Sequence, residues 1–374
     1  MRWPTFLLIS AVLIAACSEN SLAPDRESDL AKGGGGRPTT GNSTAVNLGF
    51  SLAMDIDEDG RVVGWNEARA GISAILWTPA TPRGTTGTAG TLPGLGGRDT
   101  YAIGMNDAEQ VAGVATDATT FHAVLWQGGA LQVLGDGGAS GSVADDVSDP
   151  SAGGTRFVVG HTEGPFRPAV WRVSGSGAVS GPEVLPGHPA GVDGGQAIAA
   201  NSSGLLVGDT ESESPATLLP VRWTESGTGW NATPLELLPG TSRGQALGVS
   251  EGGVAVGFNG ASSGCSHGVV WAAPDYRATQ LQDLAGGSCS WAWSVNEAGQ
   301  ITGNARDARG AQQAVLWTPL GPGGYAVLAL AGAKPTAQGD GRGLNEPETD
   351  SGQRTVQVVG LSGGRATLWK VKLP

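Results

Sequence analysis

One pairing of landmarks recurs along this chain and limits what it can become: an apolar step that ends in glycine, then an apolar run that ends in tryptophan. The glycines are Gly64, Gly113, Gly160, Gly208, Gly257, Gly303 and Gly360, and the tryptophans are Trp77, Trp126, Trp171, Trp223, Trp271, Trp317 and Trp369. Successive tryptophans lie 45 to 52 residues apart, so the chain holds seven copies of one unit, the clearest running from Tyr101 to Trp126. Repetition at that period marks supersecondary units that bury their faces only against their neighbours. A length of 374 residues would accommodate two or three ordinary domains, but the repeat argues for a single body over residues 45–374.

Within a unit the reading is four short strands, placed in the sixth copy at 292–296, 300–303, 313–317 and 325–330. Asn296 and Gly299 punctuate the first hairpin, since Asn bonds its own backbone and Gly accepts positive φ. Asn106, Asn201, Ser250 and Asn345 stand at equivalent turns and are read as turn formers. The 63 glycines and 15% charged residues fit many strands joined by tight turns, and no amphipathic helical stretch follows residue 16. Strands such as Ala123 to Trp126 are apolar on both faces, so each sheet must be covered on both sides. Four-stranded units of this size that cover one another are the blades of a β-propeller; the alternative is an open solenoid. The ends favour closure. The last unit stops at Pro374 without a fourth strand, and residues 45–49 read like the fourth strands at 131–135 and 281–284. The expectation is an all-β, seven-bladed propeller of four-stranded blades, closed by the N-terminal strand completing the last blade.

The sequence His122-Ala123-Val124-Leu125-Trp126, with His267-Gly268-Val269-Val270-Trp271, resembles the HAF-type probable extracellular repeat, whose namesake His-Ala-Phe precedes Leu-Trp. The third letter here is never Phe, and Ser73, Arg167, Leu219, Gln313 and Arg365 replace His in other copies. The resemblance implies repeat identity and a surface-exposed setting. It implies neither an activity nor a ligand role for the histidines.

The N-terminus is addressed to the envelope. Met1-Arg2 and the apolar run 6–16 read as a secretory signal, too short to span a bilayer. Ile14-Ala15-Ala16-Cys17 resembles the bacterial lipobox, which implies a signal peptide at 1–16, lipidation of Cys17, and a polar, Gly-rich flexible tether over 17–44. An ordinary signal peptide is the alternative. Ser18 after Cys17 is similar to lipoproteins sent to the outer membrane, so the expected location is the outer membrane or cell surface. Net charge is −12 and becomes −13 once Arg2 is removed, which excludes nucleic acid as a partner. With Cys17 lipidated, Cys265 and Cys289 are free to form a disulfide in an oxidising compartment; both thiols free is the alternative.

Candidate chemistry is sparse. Asp55, Asp57 and Asp59, followed by Gly60, match the opening of a calcium loop, but Asn66 stands where an EF-hand would place Glu, and a plain acidic turn is the competing reading. No other cofactor is expected. Gly240 to Gly244 fits GxSxG without the strand-turn-helix that a nucleophile elbow needs. His122, His161, His188 and His267 fall in different repeats, with no metal-ligand spacing. The links from each fourth strand to the next unit are the most individual segments, and strand alternation gathers them at one mouth of the channel. Arg98, Asp99, Tyr101, Arg243, Trp291 and Arg342 are therefore the candidate ligand-binding residues. The chain reads as a monomeric, lipid-anchored binding or scaffolding module for protein or glycan partners. The alternative is a glycan-active hydrolase or lyase at the channel mouth, for which Arg98, Asp99 and Tyr101 form the one compact set.

Overall fold

The computed structural model describes residues 39–374 except 41, 214–215, 262–263, 322–323, 333–337 and 351. The signal segment, Cys17 and most of the tether lie outside these residues. Seven antiparallel sheets form a seven-bladed propeller, and blade 1 runs outward through Leu52–Ile56, Val62–Ala68, Gly71–Pro79 and Gly87–Thr91. The innermost strands of blades 2 to 7 are Thr100–Met105, Gly141–Val147, Gly194–Ala200, Arg243–Val249, Ser290–Val295 and Gly339–Leu344. Blade 7 is completed from the other end of the chain. Ser43–Asn47 lies antiparallel on Arg365–Lys372, with Ala45 opposite Trp369 and Val46 opposite Leu368. The closing strand begins two residues earlier than position 45, and Thr39–Thr40 pairs with its start. No outer edge of blade 7 is left bare at the seam, as the fourth-strand likeness of 45–49 required.

Blade faces meet in apolar clusters. Between blades 1 and 2 these include Val63, Ala74, Ala102, Val124 and Trp126; between blades 7 and 1 they include Leu48, Phe50, Ile56, Trp77, Val359 and Leu368. Burying an indole removes roughly 150–250 Å² from water, about 4–6 kcal/mol on transfer grounds as an upper estimate. Each ring except that of Trp77 also ties down a link. The indole N–H groups of Trp126, Trp171, Trp223, Trp271, Trp317 and Trp369 donate, at 2.6–3.0 Å, to carbonyls of Pro93, Gly135, Pro186, Glu236, Gln282 and Ala331 in the segments entering their own blades.

The recurrent glycine has an equally specific cause. In all seven inner strands the pairing with the second strand slips by one residue, at Met54, Ile103, Asp145, Ile198, Leu247, Trp293 and Arg342. Such a bulge re-aims a side chain and crowds the partner strand. A Cβ on Gly64, Gly113, Gly160, Gly208, Gly257, Gly303 or Gly360 would lie 1.9–2.1 Å from the carbonyl oxygen two residues before the bulge. Only glycine fits opposite each bulge.

At the hairpin end of the inner strands, the turn residues do more than turn. Asn106 accepts backbone N–H bonds from Ala108 and Gln110 and donates to Ser148 O of blade 3 at 2.9 Å. Asn201, Asn296 and Asn345 reach the following blades in the same way. Carboxylates run a parallel chain: Asp107 accepts from Glu58 N, Asp149 from Asp107 N, Glu251 from Ser202 N, Glu297 from Gly252 N, Glu346 from Glu297 N, and Glu58 from Glu346 N. The opposite, entry end carries the Cys265–Cys289 disulfide, with Cα atoms 5.1 Å apart and a sequence separation of 24. It joins a link of blade 5 to the segment entering blade 6.

Candidate functional site

The bulged column decides what faces the channel. Because every inner strand carries its extra residue at the same height, Met54, Ile103, Asp145, Ile198, Leu247, Trp293 and Arg342 form one layer around the axis, preceded by Ala53, Ala102, Ala144, Ala197, Ala246, Ala292 and Gly341 turned into the blade interfaces. Four members of the layer are apolar. Asp145, Trp293 and Arg342 are not, and each anchors a cluster.

Over blades 5 to 7, Trp291 stacks on Phe258 with ring centroids 4.0 Å apart and planes 16° from parallel, and Trp293 lies 5.8 Å from Trp291. The Arg342 guanidinium sits 3.8 Å from the centre of the Trp293 ring and pairs with Asp340 at 2.7 Å. Asp340 also accepts from Asn304 Nδ2 at 2.9 Å. Phe258 and Arg342 are buried, whereas Trp291 and Trp293 are half-buried. Three buried N–H groups here, Trp293 Nε1, Arg342 Nε and Arg243 Nε, have no hydrogen-bond partner among the described residues. A fixed cation over an indole, aromatic faces and unspent donors suit a ligand with a flat face and oxygen acceptors.

Over blades 3 and 4 the chemistry is acidic. His161 Nδ1 lies 3.4 Å from Asp145 Oδ2 and Nε2 lies 3.5 Å from Glu163 Oε1, while Phe166 packs edge-on against the imidazole at 4.9 Å. Burial alone would lower the His161 pKa, but Asp145 and Glu163 outweigh it and raise it to about 9. Asp209, in the next blade, is pushed up to about 8 by burial and by Glu211, although Gln245 Nε2 donates to it at 2.6 Å. Deeper in the ring, burial raises Asp55 to about 8 and Asp146 to about 6, and the two repel. Each accepts its own strand's next N–H and one from a neighbouring blade, at Met105 and Ala200.

The residues expected at the mouth divide. Tyr101, Arg243 and Trp291 open their inner strands and Arg342 lies deeper, at the bulge. Trp291 and Arg342 come together through Trp293. Tyr101 packs edge-on against Trp65 at 5.4 Å, its hydroxyl has no hydrogen-bond partner among the described residues, and burial followed by Asp99 raises its pKa. Asp99 is engaged in the scaffold, accepting from Ile72 N at 2.9 Å, and Arg98 is exposed. Repeat spacing and link individuality do not point to Phe258, Trp293, Asp340, Asp145, Glu163 or Asp209, and they mark His161 only by its metal-ligand type. Aligning the repeats on their alanine column would have brought Asp145, Trp293 and Arg342 forward.

The three aspartates of the calcium-like loop turn to separate partners. Asp55 faces the neighbouring blade, while Asp57 and Asp59 hold Arg61 at 2.6 and 3.1 Å. The strand ends at Ile56, so Asp57 and Asp59 lie in the turn to the second strand while Asp55 stays on the inner strand, and the guanidinium supplies the positive charge. Among the described residues no group of three or more His, Cys, Asp or Glu is arranged to hold a metal ion.

No family model matches this chain, and no curated protein matches it. Solved structures with a similar fold include the β-propeller domain of the Trilobed protease from Pyrococcus furiosus, 8% identical over 87% of this chain and 96% of that one, with a TM-score of 0.49. A mutant of AofleA from Arthrobotrys oligospora is 11% identical over 78% of this chain and 90% of that one, TM-score 0.42. A gluconolactonase from Xanthomonas campestris is 12% identical over 90% of this chain and 91% of that one, TM-score 0.37.

Proposed function

We propose that this chain is a binding module of the bacterial envelope, anchored through lipid on Cys17, that takes a glycan at the entry mouth of its propeller channel. The observation that carries the reading is the Phe258–Trp291–Trp293 surface with Arg342 over it and three N–H donors unspent. Sugar rings offer an apolar C–H face to stack on indole and a rim of hydroxyl oxygens for the donors, so aromatic and polar features are used together. The Cys265–Cys289 bridge is consistent with an oxidising compartment, as secretion requires. The resemblance of the repeats to the HAF type accords with the same setting.

The test uses the compact unit 37–374 against immobilised envelope glycans and solubilised envelope proteins. The expected result is capture of a glycan without release of shortened product. Trp291→Ala should weaken capture by about tenfold or more, as loss of a central aromatic anchor does, and Trp293→Phe, which keeps the ring and removes the N–H, by less. Capture of protein alone would replace the glycan with a protein partner. Released product would establish the hydrolase or lyase alternative, and no capture from either pool would end the reading.

A further inference from the structure

We propose that the Asp145–His161–Glu163 cluster between blades 3 and 4 is a receptor for a primary ammonium group on a slim alkyl chain, such as a lysine side chain or a simple amine. The site stands apart from the aromatic surface of blades 5 to 7 and does not depend on the glycan reading.

Three facts carry it. First, two carboxylate oxygens of the cluster have no aligned donor. Asp145 Oδ2 and Glu163 Oε2 are buried without hydrogen-bond partners among the described residues. A buried acceptor left unsatisfied costs about 1–3 kcal/mol, more when charged, so a ligand bringing donors is strongly favoured. Second, the resident cation is insufficient. His161 lies within ion-pairing distance of both carboxylates, with Nε2 3.5 Å from Glu163 Oε1, but its Nδ1, 3.4 Å from Asp145 Oδ2, is not aligned to hydrogen-bond. One imidazolium between two carboxylates leaves one negative charge, which one monovalent cation balances. Third, access is narrow. The Asp145 side chain is 14% exposed, whereas those of His161 and Glu163 are 4% and 2% exposed. Asp145, at the bulge, is therefore the most accessible member of the cluster, with Phe166 beside the imidazole as an apolar neighbour.

Charge and donor geometry select the ligand's chemistry. An ammonium is a compact point charge with three donors, matching carboxylate oxygens that converge from different strands. A guanidinium is broader and planar, and a metal ion finds no suitable ligand group here. Anions are repelled.

The groups facing His161 are Asp145 and Glu163, with Asp209 and its neighbour Glu211 beyond. A bound ammonium competes with the imidazolium for the same carboxylates, so binding must lower the His161 pKa from about 9, and affinity must rise between pH 7 and 9 as His161 gives up its proton.

The experiment titrates the mature chain with n-butylamine and with Nα-acetyl-lysine methylamide, using n-butanol as the neutral isostere, by calorimetry and by NMR of the His161 ring. The expected result is saturable amine binding, no n-butanol binding, a downward shift of the His161 titration on saturation, and at least tenfold weaker binding in Glu163→Gln and Asp145→Asn. Trp291→Ala should leave amine binding unchanged, which separates this site from the glycan site. Absent saturable binding, amine affinity untouched in both variants, or a His161 titration unmoved by saturating amine overturns the proposal. If the variants do not fold, the wild-type His161 titration decides alone.

Discussion

Replacing Gly64 with alanine tests the link between the repeat's glycine and its bulge. The new Cβ would sit 2.0 Å from Leu52 O and 3.0 Å from Ala53 Cα, both backbone atoms of the inner strand, where contacts under 3.0 Å are essentially never seen. The two strands must separate by about 1 Å, or the bulge at Met54 must close. Overpacking of well-packed sites typically costs about 1–3 kcal/mol, and a clash with backbone belongs at the upper end. Alanine returns roughly 0.5–1 kcal/mol of backbone entropy, leaving a net loss of about 2 kcal/mol. At about 2.1 cal/mol/K per residue, the ordered ring has an unfolding entropy near 0.7 kcal/mol/K, so the melting temperature should fall by about 3 °C. The control lies in the same blade: a Cβ on Gly90 would meet nothing closer than Leu76 O at 3.8 Å. Gly90→Ala should melt at or slightly above the wild-type temperature. The assay is thermal unfolding followed by near-ultraviolet circular dichroism of the buried tryptophans. If Gly64→Ala and Gly90→Ala melt within 1 °C of each other, the steric account of the recurrent glycine is wrong.

Other consequences are equally measurable. The folded-state pKa of Asp209 is raised to about 8, so its protonated form is favoured by folding; its contribution is fully present below the ordinary carboxylate value near 4 and is lost as pH rises through 8. Asp209→Asn, which keeps an acceptor for Gln245, should therefore flatten the decline of melting temperature between pH 5 and 9, and an unchanged slope would refute the assignment. The Cys265–Cys289 bridge closes a loop of 24 residues in separation, so the double Cys→Ser variant should lose about 3 kcal/mol, read from denaturant midpoints. Removing residues through Asn47 bares the outer strand of blade 7 and should convert soluble monomer into aggregate on size-exclusion chromatography, while a chain beginning at 37 stays monomeric. Calcium and chelator should leave the melting curve unchanged, because Arg61 already holds Asp57 and Asp59; a rise of several degrees with calcium would show the loop opening to the ion.

The fold was legible because its determinants repeat. Seven tryptophans and seven glycines at fixed order give blade number directly, and the likeness of residues 45–49 to the fourth strands gives the closure. The site was legible only in part. The individuality of the links points to Arg98, which is exposed, and Asp99, whose carboxylate serves Ile72. It also points to Trp291 and Arg342, which do meet through Trp293. It passes over Asp145 and Trp293 because a strand read with a period of two assigns them to a face, whereas the bulge turns them to the axis. The end of the inner strand at Ile56 separates Asp55 from Asp57 and undoes the convergence that the alternating carboxylates suggest.

The two ends of the ring divide its labour, and the hydrogen bonds show how. At the hairpin end, carboxylates of Glu58, Asp107, Asp149, Glu251, Glu297 and Glu346 are committed to backbone N–H groups of adjacent blades, so much of the chain's negative charge serves as a clasp between blades. At the entry end several buried polar atoms have no hydrogen-bond partner among the described residues, among them Trp293 Nε1, Arg342 Nε and Arg243 Nε on one arc and Asp145 Oδ2, Glu163 Oε2 and His161 Nδ1 on the other. Stability demands satisfied polar groups, and the hairpin end supplies them in the same form from blade to blade. Unsatisfied groups survive where something other than stability retains them. The bulge makes this division tolerable, since glycine opposite it fixes the blade while the bulged residue itself is free to be methionine, aspartate, tryptophan or arginine. On the proposed reading, changes in that column of seven residues and its immediate neighbours should alter binding while leaving the ring closed.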